Sequence, residues 1–229
     1  MVTKGGDIMN VIDALNARYT CRAFMPDPVA RETVVKIMEA ANRAPSWGNT
    51  QPWDFYIAAG SVLEGIRTEF LVNMANNVAG ATELPIPQEW PAAHKDRYML
   101  LGKERYSMLC TQIDTESLPQ IIQKMNYRFF DAPVVIYVCM DRSLTPYSMF
   151  DLGSVSQSIM LAAQEFGVAT APAIMLVLYP DIIHKALAIP EDKALVLGIA
   201  LGYADPDSIH NQYRSLRRPM DEMVKLYGF

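Results

Sequence analysis

The chain has 229 residues, 51% of them hydrophobic and 20% charged, with a formal net charge of -5. That is enough apolar material for a sizeable core in one domain or two small ones. A mildly acidic chain with no basic block points away from nucleic acid and leaves a small molecule or another protein as the partner.

The opening MVTKGGDIMN lacks the apolar run of a signal peptide. Ile8, Val11, Ile12 and Leu15 then recur at helical spacing and predict a first amphipathic helix. The segment RYTCRAF reads as extended. Pro26 and Pro28 punctuate the chain, and Val34, Ile37, Met38 and Ala41 form a second helical stripe. PSWGNTQPW is a turn-rich connection, and DFYIAAG is a short strand stopped by glycine. Residues 61–79 predict a helix with Leu63, Ile66, Phe70 and Met74 on one face.

From Gly80 to about Leu118 prolines, charges and aromatics mix without a clean period. This predicts an irregular insertion, either a lid or binding loop or a solvated excursion. Order resumes with APVVIYVCMD, a buried strand by its nearly continuous β-branched run. Residues 148–166 carry a wide apolar face (Leu152, Val155, Ile159, Ala162, Ala163, Phe166) and predict a long helix. TAPAIMLVL is a strand candidate, and PDIIHKALAIP is a short helix closed by Pro190. KALVLGIALGYADP is a last buried strand, in which Gly198 and Gly202 permit close packing. The order argues for mixed helix and strand layers, in one domain over 1–229 with an insertion at about 80–118. The apolar runs are too short to span a bilayer, so a cytoplasmic protein without membrane contact is expected.

The chemistry is defined as much by what is missing. There is no GxGxxG after a strand, no phosphate-binding Gly-Lys-Ser/Thr loop and no GxSxG elbow. His94, His184 and His210 have no partner at metal-binding spacing. Cys21, Cys110 and Cys139 are odd in number and widely spaced, which suits small core hydrophobes in a reducing compartment. An enzyme built this way needs a cofactor to carry its chemistry.

Two clusters remain. Alternation in RYTCRAF puts Arg18, Thr20 and Arg22 on one face, a set able to hold a phosphate by charge-assisted bonds. By itself the pattern is more often a solvated, charged edge strand. In the second cluster Ser46, Asn49 and Gln51 offer groups that both donate and accept, as the edge of a flavin pyrimidine requires. Pro45, Gly48 and Pro52 shape that loop, while Trp53 reads as a core anchor.

In their order along the chain, RYTCRAF, APSWGNTQPW, APVVIYVCMD, the long helix from Tyr147, GVATAPA, LVLGIALGYADP and RSLRRP resemble the FMN-dependent nitroreductase family. The 80–118 insertion matches only as that family's variable region. The resemblance implies an α+β fold with a central, mostly antiparallel sheet flanked by helices. It also implies an intertwined homodimer with FMN at each of two subunit interfaces. It assigns Arg18 and Thr20, with Tyr19 between them, to the FMN phosphate and ribityl chain, and Arg22 to flavin N1 and O2. Pro45, Ser46 and Trp47 reach the FMN of the other subunit, with Asn49 and Gln51 in the same region. Asn126 bonds the pyrimidine edge. Pro172, Ala173 and Ile174 bring a backbone N–H to N5, and Arg217 and Arg214 reach the phosphate.

Two departures stand out. Ile174 replaces a glutamate found beside N5 in several members, and Arg22 replaces a common lysine. The resemblance further implies hydride transfer from NAD(P)H and reduction of a nitroaromatic or quinone in a ping-pong cycle. No protein side chain need be an obligatory acid, and Arg22 would stabilise the charge of reduced flavin. Reductive dehalogenation on the same fold, or a non-catalytic flavin carrier, are the alternatives.

Overall fold

The computed structural model describes residues 10–229. Its centre is a four-stranded antiparallel sheet in the order β1-β2-β4-β3. The strands are β1 (Asp54–Ala59), β2 (Val134–Asp141), β3 (Ala169–Ala173) and β4 (Lys193–Gly202). In β2 every residue from Val134 to Met140 is buried, as the β-branched run predicts. Its side chains alternate between two cores. Val134, Ile136, Val138 and Met140 pack on the side of α2 (Arg31–Ala41) and α6 (Pro146–Glu165). Val135, Tyr137 and Cys139 pack with Leu63, Ile66 and Phe70 of α3 (Gly60–Ala75) and Ile183 of α7 (Pro180–Leu187). Each such apolar side chain contributes about 1.5–3 kcal/mol of burial.

Trp53 is a core anchor on the α2/α6 side. Gly198 and Gly202 do permit close approach: a Cβ at Gly198 would lie 2.4 Å from Leu176 Cβ, and one at Gly202 would lie 2.7 Å from Phe24 and Pro133.

The first helix, α1 (Val11–Ala17), is capped by the Asn10 side chain, which accepts the Asp13 N–H at 3.0 Å. Ile8 lies outside the described residues. The apolar stripe of α1 is not covered by this chain: Val11 is 68% and Ile12 64% exposed. After α1 the RYTCRAF segment runs along the sheet edge, where Thr20 bridges Thr170 of β3.

Two sequence expectations change. The 80–118 segment is not irregular, because it contains α4 (Ala92–Leu109), followed by α5 (Leu118–Tyr127). Its Leu, Lys, Glu, Arg and Met residues favour helix. It shows no apolar period because only Leu109 of α4 is buried. The TAPAIMLVL run does not continue as a strand. β3 ends at Ala173, and Ile174–Val177 turn as a 3-10 helix that drops Leu176 onto Gly198.

The root of the insertion is pinned to the body. Tyr179 O–H donates to the Val78 carbonyl at 2.7 Å, and the Ala81 N–H to the Leu178 carbonyl at 3.0 Å. The Glu83 carboxylate accepts from Arg142, His184 and the Leu195 N–H. Past α5, Phe129, Phe130 and Asp131 adopt left-handed backbone angles. Buried Arg67 stitches that turn by donating to the Arg128 carbonyl at 2.9 Å and the Ala132 carbonyl at 2.7 Å.

Candidate active site

A cavity of about 1130 Å³ opens between the RYTCRAF segment, α4 and the C-terminal stretch at 213–217. Arg18, Tyr19, Thr20 and Arg22 line one wall, and Tyr213, Arg214, Ser215 and Arg217 line another. Tyr98, Lys103, Arg105 and Tyr106 come from α4, and Ile122 from α5. The wall therefore holds six cationic side chains and no carboxylate. Among the described residues none of the six forms an ion pair.

Like charges face each other in two places. Burial, then the nearby Arg217, lowers the pKa of Arg18. Burial, then Arg22, lowers that of Arg105 to about 10. The Nε and Nη2 of Arg105 are buried without a hydrogen-bond partner, as is His210 Nδ1. Buried guanidinium groups without a counter-charge are costly, so this wall is built for anions. Four tyrosines, Tyr19, Tyr98, Tyr106 and Tyr213, supply flat apolar surface beside the charges. Arg214 lies 3.6 Å above the centre of the Tyr19 ring, which holds both side chains in one stack.

The segment carrying Arg22 is fixed by Asn211, a buried residue outside the sequence motifs. Its side-chain oxygen accepts the N–H groups of Arg22 (2.8 Å) and Ala23 (3.2 Å). Its amide donates to the carbonyls of Ala23 (2.7 Å) and Asp205 (2.9 Å). Arg22 Nη1 turns back to donate to the Thr20 carbonyl at 3.3 Å.

The remaining sequence candidates lie elsewhere on the chain. Pro45, Ser46, Trp47, Asn49 and Gln51 are not part of the cavity wall. They form a separate, tightly folded loop. Ser46 Oγ accepts the Gln51 N–H at 2.9 Å, the Gln51 side chain donates to the Asn49 carbonyl at 3.2 Å, and buried Asp151 accepts the Trp47 N–H at 3.2 Å. Gly48, Asn49 and Gln51 all have positive φ, near 58°, 58° and 47°. Trp47 is 69% exposed and packs edge-on against Tyr147 at 5.3 Å. Asn126 donates to the Ile122 carbonyl, one turn back along α5, at 3.0 Å. Pro172, Ala173 and Ile174 sit where β3 ends, outside the cavity wall, with Ile174 exposed.

Sequence reasoning did not single out Asn211, Asp151 or Tyr213 for the site. Arg105 and Tyr98 lie within the 80–118 insertion, from which the sequence singled out no site residue. The one available signal was the density of Arg and Tyr in α4 beside the Arg-rich tail.

The model of the Nitroreductase family matches residues 15–203, and the chain belongs to that family. It is 29% identical over 216 residues to a 4-nitrobenzoate reductase of Pseudomonas putida, covering 93% of both chains. It is 31% identical over 216 residues to a chloronitrobenzene nitroreductase of Comamonas testosteroni, covering 93% of this chain and 94% of the other. Among solved structures, the FMN and NADPH-dependent nitroreductase NfnB from Sphigopyxis sp. strain HMH superposes with a TM-score of 0.90 at 29% identity, over 96% of this chain and 100% of that one. The α+β architecture is that of nitroreductases.

Proposed function

We propose that this chain is an FMN-dependent oxidoreductase that reduces nitroaromatic compounds, and related oxidised aromatics such as quinones, at the expense of NADPH or NADH. The observation that carries the reading is the acid-free wall of six cations beside four tyrosines, in a family whose relatives are named as nitroreductases. A flavin mononucleotide asks for that combination: a doubly charged phosphate at one end and a flat, apolar ring at the other. The proposed domain spans 1–229, with α4 as its lid over one wall.

Arg18 and Arg217 hold the phosphate, where their mutual repulsion is relieved by an anion, and Arg214 stacked on Tyr19 closes the same end. Thr20 lies along the ribityl chain. Arg22, whose backbone is held by Asn211 and whose guanidinium turns back to the Thr20 carbonyl, would bring positive charge to the pyrimidine edge, where it would stabilise developing negative charge. FMN, when bound, would supply the hydride chemistry that links the nicotinamide to the aromatic substrate. The protein contributes orientation, charge and exclusion of water rather than a dedicated acid.

The second group, Pro45, Ser46, Trp47, Asn49 and Gln51, serves the FMN of another subunit in a homodimer. Asn126 would bond the pyrimidine edge, and the backbone at Pro172–Ile174 would approach N5. The homodimer accords with the absence of the 45–51 loop from the cavity lining and with exposed Val11, Ile12, Trp47 and Phe150.

Purified protein tests the reading. It is expected to be yellow with one FMN per chain, to bleach under anaerobic NADPH or NADH, and to recolour on addition of 4-nitrobenzoate or nitrobenzene. Protein that stays colourless when FMN is supplied would overturn the proposal.

A further inference from the structure

The cavity has more positive charge than its proposed cofactor can use. Four of its cations, Arg18, Arg22, Arg214 and Arg217, come from the RYTCRAF segment and the C-terminal stretch, and suffice for a phosphate and a flavin edge. Lys103 and Arg105 come instead from α4, one face of which reaches over the cavity. Lys103 is exposed, so solvent screens it. Arg105 is different: its Nε and Nη2 are both buried and neither has a partner.

The groups around Arg105 offer it no counter-charge. Arg22 faces it as a like charge, and His210, also near, has an unpartnered ring nitrogen of its own. Glu104 is next in sequence, but its carboxylate accepts from Tyr213 O–H at 2.8 Å and forms no ion pair with Arg105. Two guanidinium nitrogens are thus held away from water without partners while the third, Nη1, is left free for a ligand, so a bound carboxylate would offset the desolvation with a charge-assisted bond. Arg22 and Arg105 are like charges lining the same cavity, and neither has a carboxylate partner among the described residues.

We infer that Arg105 is a specificity-determining residue: with Arg22 behind it, it binds a carboxylate carried by the aromatic substrate and selects anionic over neutral nitroaromatics. The inference rests on the proposed nitroreductase reading and names its substrate class. The guanidinium fork suits a carboxylate, accepting it end-on or side by side, in a way a lysine does not. Arg105 comes from α4, a different element from those carrying the proposed phosphate ligands Arg18 and Arg217.

The test compares the holoenzyme with Arg105→Met and Arg105→Lys. Benzoate, which is not reduced, is titrated into the oxidised, FMN-loaded proteins by calorimetry. Steady-state kcat/KM is measured for 4-nitrobenzoate and for nitrobenzene, and FMN content, NADPH-dependent bleaching rate and flavin midpoint potential are recorded. The expected result is that benzoate affinity, and the preference for 4-nitrobenzoate over nitrobenzene, both fall about tenfold or more in Arg105→Met, with partial recovery in Arg105→Lys. FMN content is expected to stay at one per chain. Loss of FMN in Arg105→Met would make the residue a cofactor ligand and overturn the inference. So would a slower bleaching rate with equal losses on both substrates, which would assign it to a nicotinamide phosphate, or a shifted midpoint potential with unchanged benzoate affinity. If the wild-type protein neither retains FMN nor reduces nitrobenzene, the nitroreductase reading itself fails. A wild-type enzyme that reduces both substrates alike and binds no benzoate defeats the Arg105 inference alone.

Discussion

The backbone N–H of Arg22 donates at 2.8 Å to the side-chain oxygen of Asn211, a residue 189 positions later in the chain. With the bonds to Ala23 and Asp205, this one amide ties the cationic segment to the chain just before the C-terminal stretch at 213–217. The cationic wall is therefore braced by a side chain that is not itself part of the cavity lining. Replacing Asn211 with Ala leaves the N–H groups of Arg22 and Ala23 and the carbonyl of Asp205 without partners, while the Ala23 carbonyl keeps the Asp205 N–H. The expected loss is about 1–3 kcal/mol of stability, seen in urea denaturation, together with weaker FMN retention. Unchanged stability would mean that water replaces the amide without cost.

Arg18 and Arg217 give two readouts of opposite sign. Each is proposed to hold the phosphate, so Arg18→Ala or Arg217→Ala is expected to weaken FMN binding by about 1.5–3 kcal/mol, measured by flavin fluorescence quenching. Each substitution also removes a like-charge neighbour. The melting temperature of the FMN-free protein is therefore expected to hold or rise while that of the FMN-loaded protein falls. Equal FMN affinity in both variants and wild type would remove the phosphate assignment.

Phe150 on α6 is 80% exposed. If the proposed dimer covers it, Phe150→Lys places a charge in that interface. The expected outcome by light scattering is two chains for wild type and one for the variant, with FMN lost alongside, because the loop at 45–51 no longer reaches a second subunit. A wild-type monomer that keeps FMN would contradict the shared site.

Glu83 carries the pH dependence of the insertion's root. Burial pushes its carboxyl pKa up, but the Leu195 N–H, Arg142 and His184 outweigh this and leave it lowered from 4.5. A carboxyl with a lower pKa in the folded state stabilises the fold above its unfolded pKa, and that contribution is lost as pH falls through the folded pKa. The stability advantage of wild type over Glu83→Gln is therefore expected to be full at neutral pH and to shrink below 4.5. Urea denaturation at a series of pH values measures it. A gap that does not change with pH would place its origin in shape rather than charge.

Period and burial made much of the fold legible. The run VVIYVC declared a strand covered on both faces, and Leu63, Ile66 and Phe70 declared a helix lying on it. The α4 helix was hidden because the apolar stripe that reveals helices comes from packing against a core, and α4 instead reaches over a polar cavity. The end of β3 was hidden because AIMLVL is apolar in either conformation. What ends the strand is the space left by Gly198 on the neighbouring strand, a contact across the sheet. The site divides in the same way. Alternation in RYTCRAF brought Arg18, Thr20 and Arg22 to one wall, whereas Asn211 and the orphaned atoms of Arg105 depend on contacts that spacing does not encode.

The exposed Trp47 has a use outside catalysis. Trp53 is buried, Trp90 lies in the insertion at 47% exposure, and Trp47 stands in the open against Tyr147 at 69%. The chain thus carries one native fluorophore on the surface where a second copy is proposed to dock. In a Trp90→Phe background, emission at low protein concentration is expected to come from a water-facing indole, and to shift to the blue as concentration rises and that ring is covered. Assembly can then be followed in dilute solution, with no label attached.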